Sequence, residues 1–145
     1  MLLVALDSAG GDATIAASLD QSRRMVSETE RVEVLRAVAR RQRMEVAPVR
    51  ERFFDAVNGM VSETARETVL LAALRAQPTC ADTQRGAIVA TKNMVSDTRR
   101  ANVLLEVAKA TPALRDPATR AQLLDALKTM TSSSEYRRVM DAVVP

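Results

Sequence analysis

The sequence predicts an all-α fold, an α-α superhelix (solenoid) of about four antiparallel helical hairpins with a period of ~35 residues. Composition is the first reason. Apolar residues make up 47% of the 145 residues, yet aromatic residues make up only 2% and there are four glycines. Sheet domains usually contain more aromatic residues and turn glycines, whereas Ala, Leu, Arg and Glu favour helices. The second reason is a phrase of the form Met-x-Ser that recurs every 34 to 36 residues, at Met25, Met60, Met94 and Met130.

The agreement between the four copies extends well beyond that phrase. Valine stands nine residues after each Met, and Leu or Met stands ten residues after it. Agreement at this many positions is improbable by chance, so we interpret residues 1-145 as one solenoid domain built of repeats. The repeats are approximately 12-44, 45-77, 78-113 and 114-145.

One helix of each repeat is predicted to begin at the serine of the phrase. Serine is a good N-cap because its hydroxyl accepts hydrogen bonds from backbone N–H groups that have no helical partner. The next residue is acidic in three repeats (Glu28, Glu63 and Asp97), which suits the positive end of a helix dipole. The predicted caps are Ser27, Ser62, Ser96 and Ser132.

Another helix is predicted upstream of each Met. Apolar pairs such as Phe53 and Phe54 stand seven and six residues before it and mark a buried face. Pro48 and Pro117 suit the first turn of two of these helices, and Gly59 predicts the end of one. Each repeat is thus a pair of antiparallel helices joined by a tight turn. Its apolar face is buried only when a neighbouring repeat covers it.

The first residues resemble the end of a helix from an earlier repeat. The stretch LLVAL at 2-6 matches LLAAL at 70-74, two repeat lengths further on. We therefore predict a partial helix at residues 1-6. On this interpretation the chain is a fragment of a longer repeat array, and a catalytic or membrane part of the parent protein can lie outside it.

The phrase Ser-Glu/Asp-Thr-x-Arg-x-x-Val-Leu resembles a HEAT-like bacterial helical-hairpin repeat that is usually written I-x-S-D-Y-E-R-x-x-V-L. That repeat occurs in extracytoplasmic regions attached to membrane metallopeptidases of the antibiotic-sensor type. Thr replaces the tyrosine of the motif in three copies. The resemblance implies a HEAT-like appended region that faces the periplasm, and without it a cytoplasmic location is expected. It implies no proteolytic activity, because the metal motif of the peptidase is absent. The residues that carry the resemblance are Ser27, Glu30, Arg31, Val34, Leu35, Ser62, Arg66, Val69, Leu70, Ser96, Asp97, Arg100, Val103, Leu104, Ser132, Ser134, Glu135, Val139 and Met140.

Most side chains that catalysis requires are missing from the sequence. It has no histidine, a single cysteine (Cys80) and neither of the glycine-rich motifs that bind nucleotide phosphates. We therefore expect no enzymatic activity, no catalytic residue, no metal site and no cofactor. No apolar run approaches the ~20 residues of a membrane span, so membrane insertion of this segment is not expected either.

Two series of arginines are candidate interaction surfaces. Arg31, Arg66 and Arg100 each stand four residues after a capping serine and three after the recurring acid. We interpret them as ion pairs within or between repeats, with a ligand-facing ladder of charges as the alternative. The second series forms a basic stripe at helical spacing, either a solvated face or a patch for an acidic partner or nucleic acid. Its members are Arg36, Arg40 and Arg43, with Arg41 beside them.

The net charge is +3, from 21 Lys and Arg against 18 Asp and Glu, and this is a weak footprint for nucleic acid. The expected function is a non-catalytic protein-interaction or scaffolding module of a larger bacterial protein, whose protein partner the sequence does not identify. The alternatives are a nucleic-acid-binding helical repeat and a purely structural spacer in a membrane sensor or peptidase. The sequence also allows an oligomer that forms through exposed terminal repeats.

Overall fold

The chain folds into helices. The computed structural model describes residues 11–24, 27–41, 44–110 and 114–144, and these residues form eight helices and no strand. The all-α prediction is therefore confirmed for this part of the chain. The predicted partial helix at 1-6 lies outside the described residues, as does Arg43. The helices are α1 Asp12–Ser22, α2 Glu28–Arg40, α3 Ala47–Asn58, α4 Glu63–Ala76, α5 Ala81–Thr91, α6 Asp97–Lys109, α7 Pro117–Leu127 and α8 Ser133–Val143.

The even-numbered helices begin at the serines that were predicted to cap them. The hydroxyl of Ser62 accepts a hydrogen bond from the N–H of Ala65 at 3.2 Å. Each of the other three accepts from the N–H three residues later at 3.4 Å. Such a cap typically stabilises a helix by ~1 kcal/mol relative to alanine. These three caps are Ser27, Ser96 and Ser132.

Two of the odd-numbered helices have a proline in the first turn, and an aspartate caps one of them. Pro48 and Pro117 lie in the first turn of α3 and α7, as predicted. Asp116 caps α7, because its Oδ2 accepts from the N–H of Thr119 at 3.1 Å. The hydroxyl of Thr119 also donates to this carboxylate, and it is the main reason that the pKa of Asp116 lies below its usual value.

The end of α3 has the predicted position but not the predicted backbone conformation. The helix ends at Asn58, as Gly59 predicted. Gly59 nevertheless has φ −80° and ψ −6°, a right-handed conformation that other residues also adopt. The end of this helix therefore does not depend on the ability of glycine to take a positive φ.

Each helix packs against the helix two positions further along the chain. Helix α1 packs on α3, α3 on α5 and α5 on α7, and we call these four helices the odd row. Helix α2 packs on α4, α4 on α6 and α6 on α8, which form the even row. Sequence neighbours connect the rows, among them α1 with α2 and α5 with α6.

The core is one cluster of apolar side chains that both rows supply. Leu19 and Phe53 of the odd row and Leu70 and Leu104 of the even row have no solvent exposure. The rings of Phe53 and Phe54 meet edge to face with their centroids 5.3 Å apart, a favourable aromatic geometry. The two phenylalanines are therefore core residues, as their spacing predicted.

Candidate functional site

In three repeats the acidic residue beside the capping serine caps a helix of the following repeat. Glu28, at the start of α2, accepts hydrogen bonds from the N–H groups of Val61 and Ser62, with N···O distances of 2.6 and 3.1 Å. These two N–H groups lie at the entry to α4, where the helix offers them no acceptor. The carboxylate also lies at the positive end of the α4 dipole.

Glu63 makes the same contact one repeat later. Its carboxylate accepts from the N–H of Val95 and from the N–H of Ser96, the latter at 3.0 Å. The hydrogen bond from Val95 is the largest cause that holds the pKa of Glu63 below its usual value. Burial opposes this shift, while Ser96 and the charges of Arg66 and Arg99 add to it.

Asp97 repeats the contact a third time. Its Oδ2 accepts from the N–H groups of Thr131 and Ser132 at 2.8 and 2.7 Å, at the entry to α8. Burial alone would raise the pKa of Asp97. The hydrogen bonds from Ser132 and Thr131, together with the charge of Arg100, outweigh burial and hold this pKa below its usual value.

Arg66 hydrogen-bonds carbonyl oxygens at the ends of two helices of the odd row. Its Nε donates to Met60 O at 2.7 Å and its Nη2 to Asn58 O at 3.0 Å, both at the end of α3. Its Nη1 donates to Asn93 O at 3.1 Å, just after α5. Carbonyls at a helix end lack helical donors, and the dipole favours a cation there. The carboxylate partner predicted for Arg66 is thus replaced by main-chain carbonyls.

Arg31 and Arg100 bind helix ends in a related way. Arg31 Nε donates to Ser22 O at the end of α1, at 3.0 Å. Arg100 Nη2 donates to Ala126 O of α7 at 3.0 Å, and its Nη1 lies 3.3 Å from Oδ1 of Asp97. Only 6% of the Arg100 side chain is exposed. All three arginines of this series therefore take part in contacts between helices.

The second arginine series lies on α2 and just beyond its end. Arg36 and Arg40 are exposed, and their spacing of four residues places them on one face of the helix. Arg41 is half-buried after the last turn. For this exposed pair both predictions stand, a solvated face or a patch for an acidic partner or nucleic acid.

A groove on the odd row was not predicted from the sequence. It lies where α3, α5 and α7 meet and holds about 340 Å³, within the ~300–1,000 Å³ common for ligand sites. Phe54 and Gly86 both line it. A Cβ built on Gly86 would lie 2.2 Å from Cε2 of Phe54. Only glycine therefore allows the Phe54 ring to lie this close to α5.

A chain of ion pairs runs beside the groove and links its three helices. Arg50 of α3 lies 3.5 Å from Asp82 of α5. Arg85 bonds both Asp82, at 2.6 Å, and Asp116 at the start of α7, at 3.0 Å. The hydrogen bond that Arg85 donates to Asp82 is the main cause that raises the pKa of Arg85 above its usual value. The two arginines at the groove are therefore neutralised by two aspartates.

The sequence contains a signal for each feature that was missed. The acids at 28, 63 and 97 recur with the repeat period, which is what a contact from one repeat to the next requires. For the groove, Gly86 stands eight residues before Met94, and Arg52 stands eight residues before Met60. The four repeats have Ala17, Arg52, Gly86 and Gln122 at this position, so the sequence signal is a glycine inside a predicted helix, beside which an aromatic ring can pack.

Comparison of the chain with family models, with curated proteins and with solved structures gives no significant match. Within the described ranges, no three His, Cys, Asp or Glu side chains are grouped so that they could hold a metal ion. None of the helices in that part of the chain combines the length and the apolar character that a membrane crossing needs. The contacts between repeats and the groove are therefore the features of the described chain that bear on its function.

Proposed function

We propose that this chain is an α-solenoid segment of four helical hairpins that serves as a non-catalytic protein-interaction or scaffolding module. The packing of each helix on the helix two positions later supports this architecture, because side-by-side stacking of hairpins produces that arrangement. Its resemblance to HEAT-like repeats is our reason for placing it in a larger bacterial protein.

The observation that carries the proposal is the repeated bond from one repeat to the next. Glu28, Glu63 and Asp97 each bond two N–H groups of the following repeat. The most regular polar side chains of the chain thus serve stacking. What they hold in place is an extended lateral surface, which is the feature that solenoids use to bind partners.

The nucleic-acid alternative has less support from the same side chains. Phosphate binding requires arginines that are free to face a ligand. Arg31, Arg66 and Arg100 donate instead to helix-end carbonyls. Arg36 and Arg40 are the exposed basic pair that the alternative would use.

Binding selections with the purified chain test the proposal. The immobilised chain is exposed to a displayed library of short random peptides, and in parallel to a pool of single-stranded RNA over a salt series. We expect peptides with a shared motif to be enriched and to bind the free chain in calorimetry. Retention of RNA with a steep salt dependence and no peptide enrichment would support the nucleic-acid function. Enrichment of neither would support the structural spacer.

A further inference from the structure

We propose that the groove between α3, α5 and α7 is the docking site for an arginine side chain of a protein partner. The inference rests on the proposed function, because it names the chemistry of the partner for a protein-interaction module. Two observations carry it: Asp55 lacks the arginine partner that the equivalent Asp20 has one repeat earlier, and the groove has an excess of negative charge.

Two equivalent aspartates of adjacent repeats differ in their partners. Asp20 and Asp55 each stand five residues before the Met of their own repeat. Asp20 pairs with Arg52 of the next repeat, whose Nε lies 3.5 Å from Oδ1 of Asp20. The residue that corresponds to Arg52 one repeat later is Gly86. Asp55 therefore faces a groove at the place where Asp20 faces a guanidinium.

The charges at the groove are not balanced by the chain itself. Arg50 and Arg85 are held by Asp82 and by the cap of α7, as described above. Glu51 and Asp55 also line the groove and are exposed, and neither has an ion-pair partner among the described residues. Two carboxylates are thus in excess at this place, although the whole chain carries a net charge of +3. A cation is the ligand that this arrangement attracts.

Guanidinium fits these features better than ammonium does. It is planar and carries five N–H donors, so it can bond the two carboxylates of Glu51 and Asp55 at the same time. It also stacks on aromatic rings, and Phe54 lines the groove. An ammonium group offers three donors around a single point. We therefore commit to arginine rather than lysine.

The test is a titration with N-acetyl-arginine amide, followed by NMR at the backbone amide of Gly86. N-acetyl-citrulline amide is the matched probe, since it keeps the shape of the side chain and lacks the charge. We expect a saturable shift at Gly86 with the arginine probe alone. Asp55→Asn is expected to weaken this binding about tenfold or more, because a bond to a charged group is lost.

Asp20→Asn is the matched control variant, because it changes the equivalent aspartate of the preceding repeat. It should leave the binding of the arginine probe unchanged. Asp55 is exposed and without an ion-pair partner in the described ranges, so Asp55→Asn should also keep the unfolding midpoint of the unmodified chain. Equal binding of citrulline, equal loss in both variants, or no shift at Gly86 would each overturn the inference.

Failure of this inference is distinguishable from failure of the proposed function. If the arginine probe does not bind but the peptide library enriches a motif without arginine, only the docking site is wrong. If the library enriches nothing, the interaction function itself is wrong. Enrichment of arginine-containing peptides that Asp55→Asn abolishes supports both.

Discussion

At the scale of single residues, the recurring acid beside the serine cap has two competing partners. An arginine stands one turn later on the same helix, and free N–H groups stand at the entry to the next helix of the row. The structure uses the second partner for Glu28 and Glu63. Each of these carboxylates takes two main-chain donors at a helix N-terminus, where the dipole adds to the hydrogen bonds.

Loss of one of these carboxylates should therefore weaken the stack. Glu63→Ala is expected to lower the free energy of unfolding by about 1–2 kcal/mol, because the N–H groups of Val95 and Ser96 lose a charged acceptor. Glu30→Ala is the control, since Glu30 is also a first-turn acid but is exposed, and it should change stability by less than ~0.5 kcal/mol. Urea denaturation measures both. Similar losses in the two variants would contradict a role specific to Glu63.

The same carboxylates make stability depend on pH. The pKa values of Glu63 and Asp97 are lowered in the folded chain, so they bind fewer protons folded than unfolded. Their contribution is fully present above the unfolded pKa values of about 4.3 and 3.9, and it is lost as pH falls through the folded values. Urea midpoints should therefore decrease below about pH 5.

Comparison with Glu63→Gln isolates this contribution from that of other acids. The difference in unfolding free energy between the unmodified chain and the variant should shrink as the pH falls from neutrality through the acid range. A difference that stays constant over the whole range would show that the charge of Glu63 is not involved.

Arg66 has the opposite role, since it binds helix ends instead of helix starts. Arg66→Ala removes the donors of three carbonyls at or just after the ends of two odd-row helices and should cost about 1–3 kcal/mol. Arg36→Ala is the matched control on an exposed surface of the even row and should cost less than ~0.5 kcal/mol. Chemical denaturation checks both values. An unchanged midpoint in Arg66→Ala would return Arg66 to the list of candidate ligand contacts.

At the scale of helices, stability should depend on how many neighbours a helix has in its row. Leu70 of α4 and Leu104 of α6 have no exposure and lie on helices that pack on both sides. Met140 of α8 is half-buried, and in the even row α8 packs against α6. Truncation of an inner leucine leaves a cavity, whereas the surroundings of Met140 can relax or admit water.

Alanine substitutions test this dependence. Leu70→Ala and Leu104→Ala should each lower the free energy of unfolding by about 2–5 kcal/mol, and Met140→Ala should cost clearly less. Guanidinium denaturation of the three variants, with the slope of the transition compared, gives the ranking. Equal losses at all three positions would contradict a stacked array in which inner and outer helices differ.

At the scale of the whole molecule, charge and packing divide between two kinds of surface. The acids and arginines that recur with the repeat make contacts between neighbouring repeats. Positions that do not recur differ from one repeat to the next. The groove at Gly86 is such an irregular position, since the repeat before it has a paired arginine in the same place.

The sequence by itself determined the features that depend on local spacing. The serine caps, the proline starts and the buried apolar positions of each helix all follow from periodicity within a few residues. The same periodicity predicted an all-α fold, and the described residues confirm it. These features could be predicted because a helix start or a buried face needs only neighbours in the chain.

Only the tertiary structure decided which partner each polar side chain takes. Glu63 has Arg66 one turn away, but its hydrogen bonds go to N–H groups that lie 32 and 33 residues further on. The sequence likewise gives no reason for a glycine at position 86 inside a helix. The structure supplies the reason, because the ring of Phe54 from the preceding repeat packs against Gly86. The sequence does not show which of these contacts forms. The contact depends on the distance between adjacent helices, which their packing sets.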